Sequence, residues 1–115
     1  MLVLSTGVAM AVVLAGTSGE DFLKGTGAGD RLYGLNGDDR LWGMGGDDGL
    51  HGGKGRDVIN GGPGNDALFG GGGGDVIVAN DNRKDAIYCG RGGDTVYADT
   101  RLDEISPDCE NVINR

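Results

Sequence analysis

Very little in this chain suits a conventional globular core or a catalytic site. Its 115 residues hold one histidine, one tryptophan, two phenylalanines, three tyrosines, two prolines and two cysteines, with 10 basic against 18 acidic side chains. The shortage of Lys and Arg, with a formal net charge of −8, argues against nucleic acid and anionic membrane surfaces, which need basic patches. The lone His51 and the serines Ser5, Ser18 and Ser106 bring no nucleophile beside a base, as Ser/His/Asp catalysis requires. Two carboxylates would serve a glycosidase, but here the acids follow a repeating pattern with no cleft-forming insertion, so no enzyme activity is expected. Two cysteines with a distant histidine do not make a structural zinc site. No amphipathic helices flank a twelve-residue loop, which excludes an EF-hand. The GxGxxG windows, Gly53-Lys54-Gly55 among them, lack the strand before and the helix after that a phosphate loop needs.

What the chain does have is glycine, 26 of them, in register. From Gly16 to Val78 one nine-residue phrase is written seven times: GTSGEDFLK, GTGAGDRLY, GLNGDDRLW, GMGGDDGLH, GGKGRDVIN, GGPGNDALF and GGGGGDVIV. A fixed period of this kind decides the architecture, because each phrase buries its apolar side chain only by stacking on its neighbours. The sixth place is always Asp: Asp21, Asp30, Asp39, Asp48, Asp57, Asp66 and Asp75. The eighth is always aliphatic: Leu23, Leu32, Leu41, Leu50, Ile59, Leu68 and Ile77. Places one to five read as a tight polar turn and places seven to nine as a short strand. Since side chains alternate along a strand, place eight faces inward and places seven and nine outward.

Two phrases, eighteen residues, are expected to make one coil of a flat spiral, with parallel strands of successive coils about 4.8 Å apart. Phrases of equal parity then lie over one another, forming one acidic ladder from Asp21, Asp39, Asp57 and Asp75 and another from Asp30, Asp48 and Asp66. Such ladders repel unless a cation sits between the rungs. Carboxylates and turn carbonyls are hard oxygen donors, which favours Ca²⁺ over zinc or copper, and over magnesium with its rigid octahedral demand. The phrase resembles the glycine-rich nonapeptide GGxGxDxUx of RTX proteins, the hemolysin-type calcium-binding repeat. The resemblance implies an all-β fold, a right-handed parallel β-roll with a C-terminal cap. It also implies calcium held between phrases n and n+2 by Asp carboxylates and turn carbonyls, hence five sites over seven phrases.

Beyond Val78 the phrase decays. Ala79 slips the frame, after which NDNRKDAIY, CGRGGDTVY and ADTRLDEIS continue the acidic column as Asp85, Asp94 and Asp103. Only CGRGGD keeps a glycine-rich turn, giving a sixth candidate site between Asp75 and Asp94. In the other two turns Arg83, Lys84 and Arg101 are expected to replace a bound cation by pairing with the acids. Residues 79–115 read as a terminal cap, and Cys89 and Cys109, one coil apart, fall within the roughly 4.4–6.8 Å Cα window of a disulfide. On the outward ninth places Tyr33, His51, Phe69 and Tyr88 are expected to stack on one sheet, either to brace the strands or as a strip for a glycan or protein surface.

Residues 1–15, apolar and uncharged apart from the terminus, read as a secretory signal, although no Lys or Arg precedes the apolar run; the stretch is short of the ~20 residues of a spanning helix. The expectation is therefore a secreted calcium-binding protein with three parts: signal 1–15, regular repeats 16–78 and cap 79–115. No membrane insertion of the mature chain is expected. The alternatives are an adhesion or glycan-recognition module, or part of a larger RTX toxin or hydrolase. The protein or glycan partner is not encoded in the phrase. So much glycine has a large backbone entropy to lose, and the acids repel, so the chain without calcium is expected to be largely unfolded.

Overall fold

The structure, a computed structural model, describes residues 10–114. Every regular element among them is a short parallel β-strand. One sheet is made of β1 (Val13–Ala15), β3 (Arg31–Tyr33), β5 (Gly49–His51), β7 (Ala67–Phe69), β9 (Ala86–Tyr88) and β11 (Glu104–Ile105), in that spatial order. The other holds β2 (Phe22–Lys24), β4 (Arg40–Trp42), β6 (Val58–Asn60), β8 (Val76–Val78), β10 (Thr95–Ala98) and β12 (Asn111–Asn114). The chain therefore alternates between sheets at every turn, and the product is a β-solenoid of about six coils, the parallel β-roll that the period implies, 41 × 32 × 15 Å in extent.

Register follows the phrase. Leu23 lies opposite Leu41, Leu32 opposite Leu50 and Ile59 opposite Ile77, each eighteen residues apart. At Ala79 the spacing becomes nineteen in both sheets, with Leu68 opposite Ile87 and Ile77 opposite Val96. The extra residue is absorbed because alanine is small enough to sit buried beside the core, with its N–H donating to the Tyr97 carbonyl at 2.7 Å. The eighth-place residues Leu32, Leu41, Leu50, Ile59, Leu68, Ile77, Ile87 and Val96 are each 0 % exposed and form one continuous column between the sheets. Leu14, Leu23 and Ile105 pack on its two ends and remain partly exposed.

β1 is an element that the phrase search passes over. Leu14 stands eighteen residues before Leu32 and pairs with it, so the aliphatic column reaches one phrase further back than the acidic column, where Val12 replaces Asp. The segment expected to be a secretory signal thus contributes its last three residues to the first sheet; residues 1–9 of it lie outside the described residues.

At the other end, the cap folds over the last glycine-rich turn. Asp108 accepts hydrogen bonds from the N–H groups of Cys89 (3.3 Å) and Gly90 (2.9 Å), and the Ser106 hydroxyl donates to it as well. Cys89 and Cys109 form a disulfide with their Cα atoms 5.1 Å apart. β12 then pairs with β10 at a spacing of sixteen and becomes the exposed outer strand of its sheet.

Leu50 sits in the middle of the column with no slack around it. Leu50→Ala should lower the stability of the folded roll by about 2–5 kcal/mol in denaturant titrations, whereas Leu14→Ala, at the partly exposed end, should cost clearly less.

Candidate metal centre

The sixth-place aspartates do two separate things, one with each carboxylate oxygen. From Asp39 on, Oδ1 of each accepts the main-chain N–H of the aspartate one coil earlier: Asp39 from Asp21 (2.8 Å), Asp57 from Asp39 (2.9 Å), Asp75 from Asp57 (2.9 Å) and Asp94 from Asp75 (2.8 Å). The second ladder runs likewise, with Asp48 accepting from Asp30 (2.7 Å), Asp66 from Asp48 (2.8 Å), Asp85 from Asp66 (2.7 Å) and Asp103 from Asp85 (2.9 Å). These bonds tie each turn to the next and fix the register of the coils.

Oδ2 is different. In Asp39, Asp48, Asp57, Asp66, Asp75, Asp85 and Asp94 this oxygen is buried and has no hydrogen-bond partner. A carboxylate oxygen stripped of water and left unpaired costs several kcal/mol unless a proton or cation meets it. The surroundings add oxygen donors rather than protons. At Gly52, for example, a Cβ would fall 2.6 Å from Oδ2 of Asp57 and 2.7 Å from the Gly70 carbonyl oxygen of the next coil. In the regular phrases glycine keeps that space clear, which accounts for its place at the head of all seven; in the two turns that follow, Asn80 and Cys89 stand there instead. Buried, unpartnered carboxylate oxygens beside inward-turned carbonyls, with no nitrogen or sulfur among them, fit a hard cation such as calcium.

Whether Oδ2 is left free depends on the second place of the phrase. In GTSGED and GTGAGD a threonine closes the turn on its own aspartate: the Thr17 N–H donates to Asp21 Oδ2 at 2.6 Å and the Thr26 N–H to Asp30 Oδ2 at 2.5 Å, with each hydroxyl reinforcing the contact. From the third phrase to the seventh, and again at Gly90, the second place turns left-handed. Even Leu35 (φ 73°) and Met44 (φ 70°) adopt this conformation, at roughly 1–2 kcal/mol for an L-residue, and none of these left-handed residues donates its N–H to the carboxylate; in the last turn, ADTRLD, the Asp99 N–H again closes on Asp103 Oδ2 at 2.8 Å. The eight aspartates singled out in the sequence thus fall into two groups. Asp39, Asp48, Asp57, Asp66, Asp75 and Asp94 present a free buried oxygen, while Asp21 and Asp30 have theirs engaged by threonine.

Asp85 joins the first group, although its glycine-free turn had pointed to neutralisation by Arg83 or Lys84. Among the described residues the one ion pair is Lys84 Nζ to Glu104 Oε1, at 2.8 Å. Both side chains are exposed on the outside of the roll, so the expected exchange of cation for side-chain charge does not take place inside the ladder. The continuing acidic column had marked Asp85; the loss of glycine masked it.

Burial is the largest cause of the carboxyl shifts, with neighbouring acids adding to it and main-chain hydrogen bonds opposing it. Asp66 and Asp75 are pushed up to about 8, Asp48 and Asp85 to about 7 and Asp57 to about 6. On the outer face Tyr33, His51, Phe69 and Tyr88 stack with ring centroids 4.8, 4.4 and 4.9 Å apart. Burial between two rings, then the charge of Arg31, lowers the His51 pKa. Because each ring covers the face of the next, the strip offers mainly ring edges to solvent, a poor platform for stacking a sugar.

The family model for the RTX calcium-binding nonapeptide repeat, four copies long, matches residues 15–50 and again 42–77. No curated protein matches the chain.

The raised carboxyl values carry a pH signature. A group whose folded pKa exceeds its unfolded one stabilises the fold below the unfolded value and loses that contribution as pH rises through the folded value. In chelator, strand content should therefore be greatest at or below about pH 4 and fall as the pH rises from there to about pH 8, read by far-UV circular dichroism. His51 acts in the opposite sense below its ordinary value, but as one group against several.

Proposed function

The chain belongs to the RTX calcium-binding nonapeptide repeat family, and on that premise we propose that it binds calcium between stacked turns and folds as it does so. The observation that carries this reading is the file of buried Oδ2 atoms, seven carboxylate oxygens in register without a partner. Calcium bound there would supply positive charge and an oxygen-seeking centre at each rung. Asp39, Asp48, Asp57, Asp66, Asp75 and Asp94 are the ligands we assign first, with first-place carbonyls beside them. The free oxygens of Asp75 and Asp94 favour the sixth site at the cap. Asp21 and Asp30 complete the N-terminal coils, where an ion has to displace the threonine contacts and should bind more weakly.

Folding and binding are then one process. Without metal the turns gather acidic groups whose charged form the dry interior disfavours, and the glycines give up more backbone freedom than any other residue. The binding free energy is therefore spent largely on ordering the coils. Extracellular calcium modules work at ~10⁻⁴ to 10⁻³ M, which would keep such a chain loose inside a cell and order it after export. Export itself is supported by the apolar run at residues 1–15 and by the Cys89–Cys109 disulfide, a bond that persists in oxidising surroundings. We assign no catalytic role to any residue.

Calcium titration followed by far-UV circular dichroism should convert a largely disordered spectrum to a β spectrum, and magnesium at equal concentration should not. Identical ordered spectra in excess chelator and in millimolar calcium would refute the coupling. Asp57→Asn is the sharper probe, because an amide oxygen still accepts the Asp39 N–H while the second atom becomes a donor. It should leave a foldable roll but raise the calcium midpoint by about tenfold or more, the effect of losing one charged ligand.

A further inference from the structure

The glycine-free turn that follows Ala79 brings together something the regular phrases lack. Asp81 stands second in NDNRKD, where the regular turns have glycine, leucine, methionine or threonine, and the left-handed residue moves one place on, to Asn82 (φ 64°). The Asp81 carboxylate is held between coils, accepting the N–H of Gly64 at 3.1 Å on one oxygen and that of Arg83 at 2.9 Å on the other. There Asp66, Asp81 and Asp85 each bring an oxygen within 4.8 Å of the others. Among the described residues no other three carboxylates meet so closely.

Proximity of acids alone would be unremarkable on a chain this acidic. What sets the cluster apart is that Asp66 and Asp85 are 3 % and 1 % exposed, and each leaves its Oδ2 buried with no partner. The basic side chains of the same turn do not answer that charge, since Lys84 is drawn outward to Glu104. Three carboxylates with two unpartnered oxygens in the dry interior call for a cation of at least two charges.

We propose that Asp66, Asp81 and Asp85 form a further cation site at the junction of the repeats with the cap. In it the Asp81 carboxylate takes the place of a turn carbonyl. The choice of calcium and the roles of Asp66 and Asp85 rest on the reading of the stacked turns given above, but Asp81 does not: it belongs to no acidic ladder, and the repeat phrase makes no provision for it. A third negative ligand makes this the most highly charged seat in the roll. Since affinity for hard cations rises with the charge of the ligand set, this seat should be the one that a trivalent lanthanide enters first.

Two measurements test the site on the full chain. In the calcium-loaded wild type, sub-stoichiometric Tb³⁺ should broaden the amide resonances of Gly64, Arg83 and Asp85 before those of the mid-ladder turns, such as Asp39 and Gly52. Equilibrium dialysis of Asp81→Asn should then show one bound calcium fewer per chain than wild type, with the remaining ions unchanged. Broadening that starts in the mid-ladder turns, or an unchanged ion count in Asp81→Asn, overturns the junction site and leaves the ladder reading standing. Wild type that binds no calcium overturns both. A single ion that Asp81→Asn abolishes keeps the junction site and removes the ladder. Should Asp81→Asn fail to fold, the order of terbium broadening in wild type decides by itself.

Discussion

Each carboxylate in the acidic column is divided between two duties, and the rest of the molecule depends on that division. One oxygen holds the main chain of the preceding coil, so the column sets the register of both sheets without help from long strands. From Asp39 to Asp94 the other is left in the interior with no hydrogen-bond partner. An acid protonated at its free oxygen, or one facing a cation, satisfies both requirements; a bare anion does not. Asparagine would preserve the scaffold bond but present a donor to the interior, and glutamate would not reach both positions from the same backbone. The phrase therefore needs aspartate at its sixth place for structural and chemical reasons at once.

The hydrophobic contribution is correspondingly plain. One aliphatic side chain per phrase, fully enclosed, gives a column one residue wide between two narrow sheets. Short strands with a single inward residue have little to resist slippage by packing alone. Here the carboxylate-to-amide bonds supply the missing specificity, and the disulfide with the Asp108 contacts secures the end where the column stops.

Much of this could be read from the sequence because the period is strict. The strands, their parity, the buried eighth place, the stacked ninth-place rings and the position of the disulfide all follow from counting in nines and eighteens. β1 escaped because Val12 stands where the count calls for aspartate, and an apolar stretch near the start of a chain is also what a leader looks like. The distinction between Asp30 and Asp48 was equally out of reach. Both have the same place in the phrase, and the difference lies in whether Thr26 or Met44 precedes them and how that residue turns the backbone. Asp81 was invisible for the opposite reason, since it stands at the second place, where no regular phrase carries an acid and the count gives a side chain no ligand role.

That slip also shows what the two surfaces of the roll each remember. The interior repeats every nine residues, because every phrase carries the same acid and the same aliphatic. The exterior repeats only every eighteen, because Tyr33, His51, Phe69 and Tyr88 share one sheet while Trp42 and Asn60 belong to the other. Excision of one phrase, such as residues 43–51, would leave the acidic files unbroken but remove His51, set Tyr33 beside Asn60 and bring Trp42 over to Phe69 in its stead. Excision of two would spare both the files and the ring stack. Lengthening or shortening by whole coils is thus a change that the inside and the outside tolerate together, and a half-coil is one that only the inside fails to notice.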